Sequence, residues 1–179
     1  MKKIKNLCLG LIISVCFGVT ATTSTDIDMN KKLTVVFQNI AAYYNDTYGG
    51  FPEYYSGAYI DLETNELVIC VTQTNEIIDR ELKKAANGEN ITIEIKKYSY
   101  DELLDEVEMI LAKASSLYAE YKDSDNKSLL DVFSYIGAGI DDENNCINIR
   151  IIDIDEEKID IFKKYVSNFD HINFINSQK

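Results

Sequence analysis

Tryptophan is absent from this 179-residue sequence, and proline and histidine occur once each. A single proline, with no low-complexity tract, argues against a linker or fibrous protein and for an ordered globular chain. One histidine, His171, leaves little room for a Ser-His-Asp arrangement, which needs a base that cycles its proton near neutral pH. There is no Gly-x-Ser-x-Gly phrase, no phosphate-binding glycine loop and no His/Cys cluster at zinc spacing, so no cofactor or metal is expected. The acidic phrases Asp141-Asp-Glu-Asn-Asn145 and Asp153-Ile-Asp155-Glu-Glu157 lack the glycine of a calcium loop. They read as a solvated turn and a charged helix start. Basic residues are also scarce, with 18 Lys and Arg against 30 Asp and Glu. That balance argues against nucleic acid and anionic membranes as partners.

The longest apolar run is Leu7 to Val19, too short to span a bilayer comfortably and preceded by Lys2, Lys3 and Lys5. With small residues at Val19-Thr20-Ala21 it reads as a secretory signal, residues 1–21, cleaved near Ala21. The expectation is a secreted protein with no transmembrane segment in its mature chain. Removing three lysines and no acid takes the formal charge from −12 to −15. Of the four cysteines, Cys8 and Cys16 lie in the signal. Cys70 and Cys146 each sit in an apolar strand-like run, where cysteine serves as a small buried hydrophobe, although an exported pair can also bridge.

What the chain does contain is a repeat. Residues 53–61 read EYYSGAYID and residues 133–141 read FSYIGAGID. The similarity continues beyond the phrase. Gly57 to Asp61 reads as a strand, with Glu63-Thr64-Asn65 as a turn and Leu67 to Val71 as a second strand. Asn75 or Thr74 caps a helix bearing Ile78, Leu82 and Ala85, which Gly88 ends. Ile91, Ile93 and Ile95 form a third strand. In the second copy Ser134 to Asp141 reads as a strand, Glu143-Asn144-Asn145 as a turn, and Ile147, Ile149 and Ile151 mark the next strand. Asp155 caps a helix with Ile159, Phe162 and Val166 facing inward, and Ile172 begins the last strand. Counterparts from Gly137 to Asp155 lie eighty positions apart, and the last strand is offset by one more. A whole ββαβ unit is therefore duplicated.

An amphipathic helix over 28–44 precedes the first unit. Between the units Ser99-Tyr-Asp-Glu102 is a capping box that opens a long helix. Leu103, Val107, Ile110, Ala114, Leu117 and Tyr121 form its stripe, and Leu104, Leu111 and Tyr118 widen it. The fold class is α+β: two similar ββαβ lobes joined by a long amphipathic helix and preceded by an N-terminal helix. The divisions are 22–50 for the first helix and loop, 51–98 for the first lobe, 99–127 for the linking helix and linker, and 128–179 for the second lobe with its tail.

FPEYYSGAYIDLETNELVICVT, YSYDELLDEVEMI and SYIGAGIDDENNCINIRIIDIDEEKIDIFKKYV, in that order, resemble the pro-regions of secreted bacterial chymotrypsin-like serine proteases. These are of the S1 family, alpha-lytic and streptogrisin type, and the resemblance covers about residues 51–175. It implies two small lobes joined by a helical segment, acting as intramolecular chaperone and tight inhibitor of a protease. It further implies that a second-lobe sheet extends a protease hairpin while the tail lies in the substrate cleft. Carried onto this chain, the partner-binding residues would be Ile147, Ile149 and Ile151, then Ile172, Asn173, Phe174 and Ile175, and Gln178 and Lys179 in the tail. No counterpart of the protease's catalytic His, Asp and Ser is present. The expectation is thus a non-catalytic inhibitor or folding helper acting in trans. The alternative is an extracellular or envelope interaction module that kept the fold without a protease partner.

Overall fold

The computed structural model describes residues 24–134 and 136–177. The expected signal, residues 1–21, and the tail residues Gln178 and Lys179 lie outside them. Helix α1 spans Ser24–Tyr48. It outruns the expected 28–44 at both ends and stops only where Gly49 and Gly50 take positive φ. Its inner face, Leu33, Val36, Ile40 and Tyr44, is buried at the three-four-four spacing that keeps residues on one side of a helix.

Strands β1 (Tyr55–Asp61) and β2 (Glu66–Val71) form an antiparallel hairpin. Asp61 Oδ1 accepts the backbone N–H groups of Glu63 and Thr64, and Asn65 closes the turn at φ 55°. A short polar side chain tolerates that left-handed conformation better than a bulky one. Helix α2 (Glu76–Ala85) begins at Asn75, whose Oδ1 accepts from Ile77 and Ile78 N. It crosses over to β3 (Ile91–Ile95), which pairs parallel to β2. The first sheet has the order β1-β2-β3. Its core face carries Leu67, Ile69 and Val71 against α1 and α2.

Helix α3 (Tyr100–Tyr121) opens with the expected capping box: Ser99 Oγ accepts from Glu102 N, and Ser99 N donates to Glu102 Oε2. Leu103, Val107 and Ile110 are buried in the second lobe's core, so the helix that joins the lobes packs as part of the second. Leu111 and Tyr118 are not part of that stripe; they are 41% and 43% exposed. The sequence pattern misses helix α4 (Lys127–Ser134), including Ser134, which it assigns to a strand. Asn126 caps α4 by accepting from Leu129 N, and a dense Leu129, Leu130, Val132, Phe133 cluster obscures the period in so short a helix.

Strands β4 (Gly137–Asp141) and β5 (Cys146–Ile152) form the second hairpin, followed by α5 (Glu156–Tyr165) and β6 (Ile172–Ser177). Sheet order is β4-β5-β6, with β6 parallel to β5. The registers of the two sheets match: Gly57 faces Cys70 and Gly137 faces Arg150, Leu67 faces Ile91 and Ile147 faces Ile172. Asn145 repeats Asn65 at φ 49°. In α5 the buried residues are Lys158, Ile161, Phe162 and then Val166, while Ile159, expected inside, is half-buried. Lys158, only 5% exposed, explains the rotation. Its Nζ donates to Ile152 O and Asp153 O at 2.9 Å each and lies 3.3 Å from Asp131 of α4, satisfying its charge at the sheet's end.

Candidate interaction surfaces

The residues expected to meet a partner divide into two sets. β5 is the central strand, paired on both sides, and Ile147, Ile149 and Ile151 are fully buried in the core. Neither their backbone nor their side chains face outward, so the structure places them in the core and not on the surface. A run of alternating isoleucines reads equally as a binding strand or a buried one, and only pairing on both sides decides which.

β6 is an outer strand. Ile147 N donates to His171 O at 2.9 Å and Asp153 N to Ser177 O at 3.3 Å. By parallel alternation the backbone groups of Asn173 and Ile175 turn toward β5, and those of Ile172, Phe174 and Asn176 turn outward. The side chains alternate at right angles to this: Ile172 and Phe174 pack on the core, Phe174 edge-on to Phe162 at 5.3 Å. Asn173 is exposed, and its Nδ2 donates to Asn148 Oδ1 at 2.9 Å. The strand reads INFINS, with no charge and no proline. β3, the matching outer strand of the first sheet, carries Glu94 in an ion pair with Lys96 at 2.6 Å. Charge on an outer strand discourages strand addition; β6 lacks that protection.

A second surface is the junction between the lobes. β1 carries a bulge: Tyr55 faces Val71 and Gly57 faces Cys70, leaving Ser56 as the extra residue. The bulge aims Ser56 Oγ to donate to Tyr98 O. Asn145 Nδ2 donates to both Ser56 Oγ and Tyr98 O at 3.0 Å, and Tyr98 N donates to Asn145 Oδ1 at 2.9 Å. Lys96 Nζ donates to Glu143 O at 2.7 Å. On the rim Asp170 pairs with Lys97 at 2.7 Å and accepts from Tyr98 Oη at 2.5 Å, contacts that hold its carboxyl down at about 2. The second hairpin turn is thereby seated on the open end of the first sheet.

The chain's reactive groups are placed apart or masked. His171 packs edge-on to Tyr98, ring centroids 5.0 Å apart. Cys70 and Cys146 are buried free thiols; burial pushes Cys70 up to about 12 and raises Cys146 as well. Burial pushes the Tyr44 phenol up to about 12. Among the described residues there is no group of three His, Cys, Asp or Glu placed to hold a metal ion. Nor is any described helix long and apolar enough to cross a membrane.

No curated protein matches the chain. A family model described as a Pro-like N-terminal domain matches residues 21–97, and one described as a Pro-like C-terminal domain matches residues 101–177. The first span holds α1 and the β1-β2-β3 sheet; the second holds α3, α4 and the β4-β5-β6 sheet. The chain thus carries a Pro-like N-terminal domain followed by a Pro-like C-terminal domain, a two-domain architecture consistent with a protease pro-region.

Proposed function

We propose that this is an exported, non-catalytic protein that binds a chymotrypsin-like serine protease, as inhibitor or folding helper, through the outer edge of β6. The observation that carries the reading is an uncharged, unprotected outer strand in a Pro-like C-terminal domain. Strand addition gives affinity through main-chain hydrogen bonds, and alternate side chains give selectivity. The outward backbone groups of Ile172, Phe174 and Asn176 would receive the protease strand. The residues from Asn173 onward would lead the tail, with Gln178 and Lys179, toward the substrate cleft.

The test is to mix the purified mature protein with secreted chymotrypsin-like proteases and follow activity, complex formation and refolding of the denatured enzyme. Inhibition with a stable complex, or faster recovery of activity, is expected. Asn173→Lys places a charge on the exposed strand and is expected to weaken the complex by about tenfold or more, with an unchanged melting temperature. Absence of complex, inhibition and refolding rescue removes the reading.

A further inference from the structure

The two hairpin turns are alike in backbone and different in use. Asp61-Leu62-Glu63-Thr64-Asn65 ends in solvent, with Leu62 59% exposed. In the second turn Asp142 stands where the first has Leu62, and it reaches the other lobe. Its carboxyl lies over Gly57 so closely that a Cβ there would sit 2.6 Å from Oδ1. Oδ2 accepts from Ala58 N at 3.3 Å, and Cys70 Sγ donates to the Asp142 carbonyl at 3.7 Å. That single long bond is all the described residues offer the carboxylate; none of their ion pairs includes Asp142.

The titratable groups around it supply no free counter-charge. β1 contributes Tyr55, β2 Cys70 and α3 Tyr100, and burial raises all three, leaving them neutral at physiological pH. β3 and the residues after it contribute Glu94 and Lys96, which pair with each other at 2.6 Å. The turn itself adds the acids Asp141 and Glu143. A partly desolvated carboxylate with one donor and acidic neighbours holds its proton more tightly than a carboxylate in water.

We propose that Asp142 is a proton-linked clasp between the lobes, docking most tightly when its carboxyl is neutral and loosening the junction as it ionises. Burial first, with Asp141 adding repulsion, pushes the carboxyl from 3.8 to about 6, against the opposing hydrogen bond from Ala58. The docked state thus keeps a proton that the undocked turn releases. The extra docking strength is complete below about pH 4 and is lost as pH rises through about 6. A shift of that size corresponds to a change of about 100-fold in the docking equilibrium. This clasp does not depend on what the second sheet binds.

Carbon-13 NMR titration of the Asp142 carboxyl in the folded protein tests it, together with hydrogen exchange at Ala58 N–H corrected for intrinsic rate. A midpoint near 6 is expected, with protection at Ala58 falling up to about 100-fold between pH 4 and 8. Asp142→Asn, a neutral mimic of the acid, should make that protection independent of pH. A midpoint near 4, or an unchanged pH profile in D142N, overturns the proposal. Should D142N fail to fold, the wild-type midpoint decides alone.

Discussion

Gly57 and Gly137 occupy the same place in the repeated phrase Tyr-x-Gly-Ala-x-Ile-Asp, and the structure gives them different duties. Gly57 sits at φ 127° with the Asp142 carboxyl filling the space of its missing side chain. Gly137 has no such φ, and a Cβ there would meet Arg150 Cβ at an ordinary 3.5 Å. Gly57→Ala should therefore cost about 2–4 kcal/mol, from backbone strain and a displaced lobe contact, and Gly137→Ala less than about 1 kcal/mol. Urea denaturation of the two variants measures the difference; equal costs would show that Gly57 does not make room for the second lobe. The two turn asparagines are the same kind of pair. Both adopt positive φ, but Asn65 is exposed while Asn145 is buried and makes three hydrogen bonds to Ser56 and Tyr98. Asn145→Ala is expected to cost about 2 kcal/mol more than Asn65→Ala, since it alone leaves buried polar groups without their partner. Subtracting one from the other removes the shared φ effect.

At the scale of elements, α3 shows how a wide apolar stripe is divided. Leu103 and Ile110 are fully buried, while Leu111 is 41% exposed although it was equally apolar in the pattern. Leu103→Ala and Ile110→Ala should each cost about 2–5 kcal/mol, against less than about 1 kcal/mol for Leu111→Ala. Thermal or urea unfolding checks the ranking; a large loss at Leu111 would mean that something covers that face. Most elements were legible because local chemistry marks them: the Ser99 capping box, the Asn75 and Asp155 caps, and the alternating apolar residues of β2, β3 and β5. α4 was not, because eight residues give barely two turns of period and its apolar residues crowd together. Nor was the inward turn of Lys158, whose partners are strand-end carbonyls and a residue of α4 that meet only in the folded lobe.

For the whole molecule, the lobes are joined by polar contacts of opposite pH sense. Asp142 strengthens docking as pH falls through about 6. Asp170, on the exposed rim, is held down at about 2 by Lys97 and Tyr98, so its stabilising contribution is present above the ordinary aspartate value and fades as pH approaches 2. The junction should accordingly be tightest in mildly acidic solution and weaken on either side. Small-angle scattering across that range measures it as a change in radius of gyration, and a flat profile would leave the lobes held by contacts that do not titrate, such as the Asn145 hydrogen bonds to Ser56 and Tyr98.

The sequence by itself determined the duplicated ββαβ units, their eighty-residue offset, most helix caps and the absence of any familiar catalytic motif. These are local or periodic properties, set by neighbours a few positions apart. Tertiary structure alone decided which strand is central and which is an edge, so that Ile147, Ile149 and Ile151 became core while β6 kept an open side. It also decided that one copy's turn would seat on the other copy's sheet. The backbone N–H of Ala58 and the carboxylate of Asp142, 84 positions apart, meet there, and no local pattern records whether an acid in a turn will face water or another lobe.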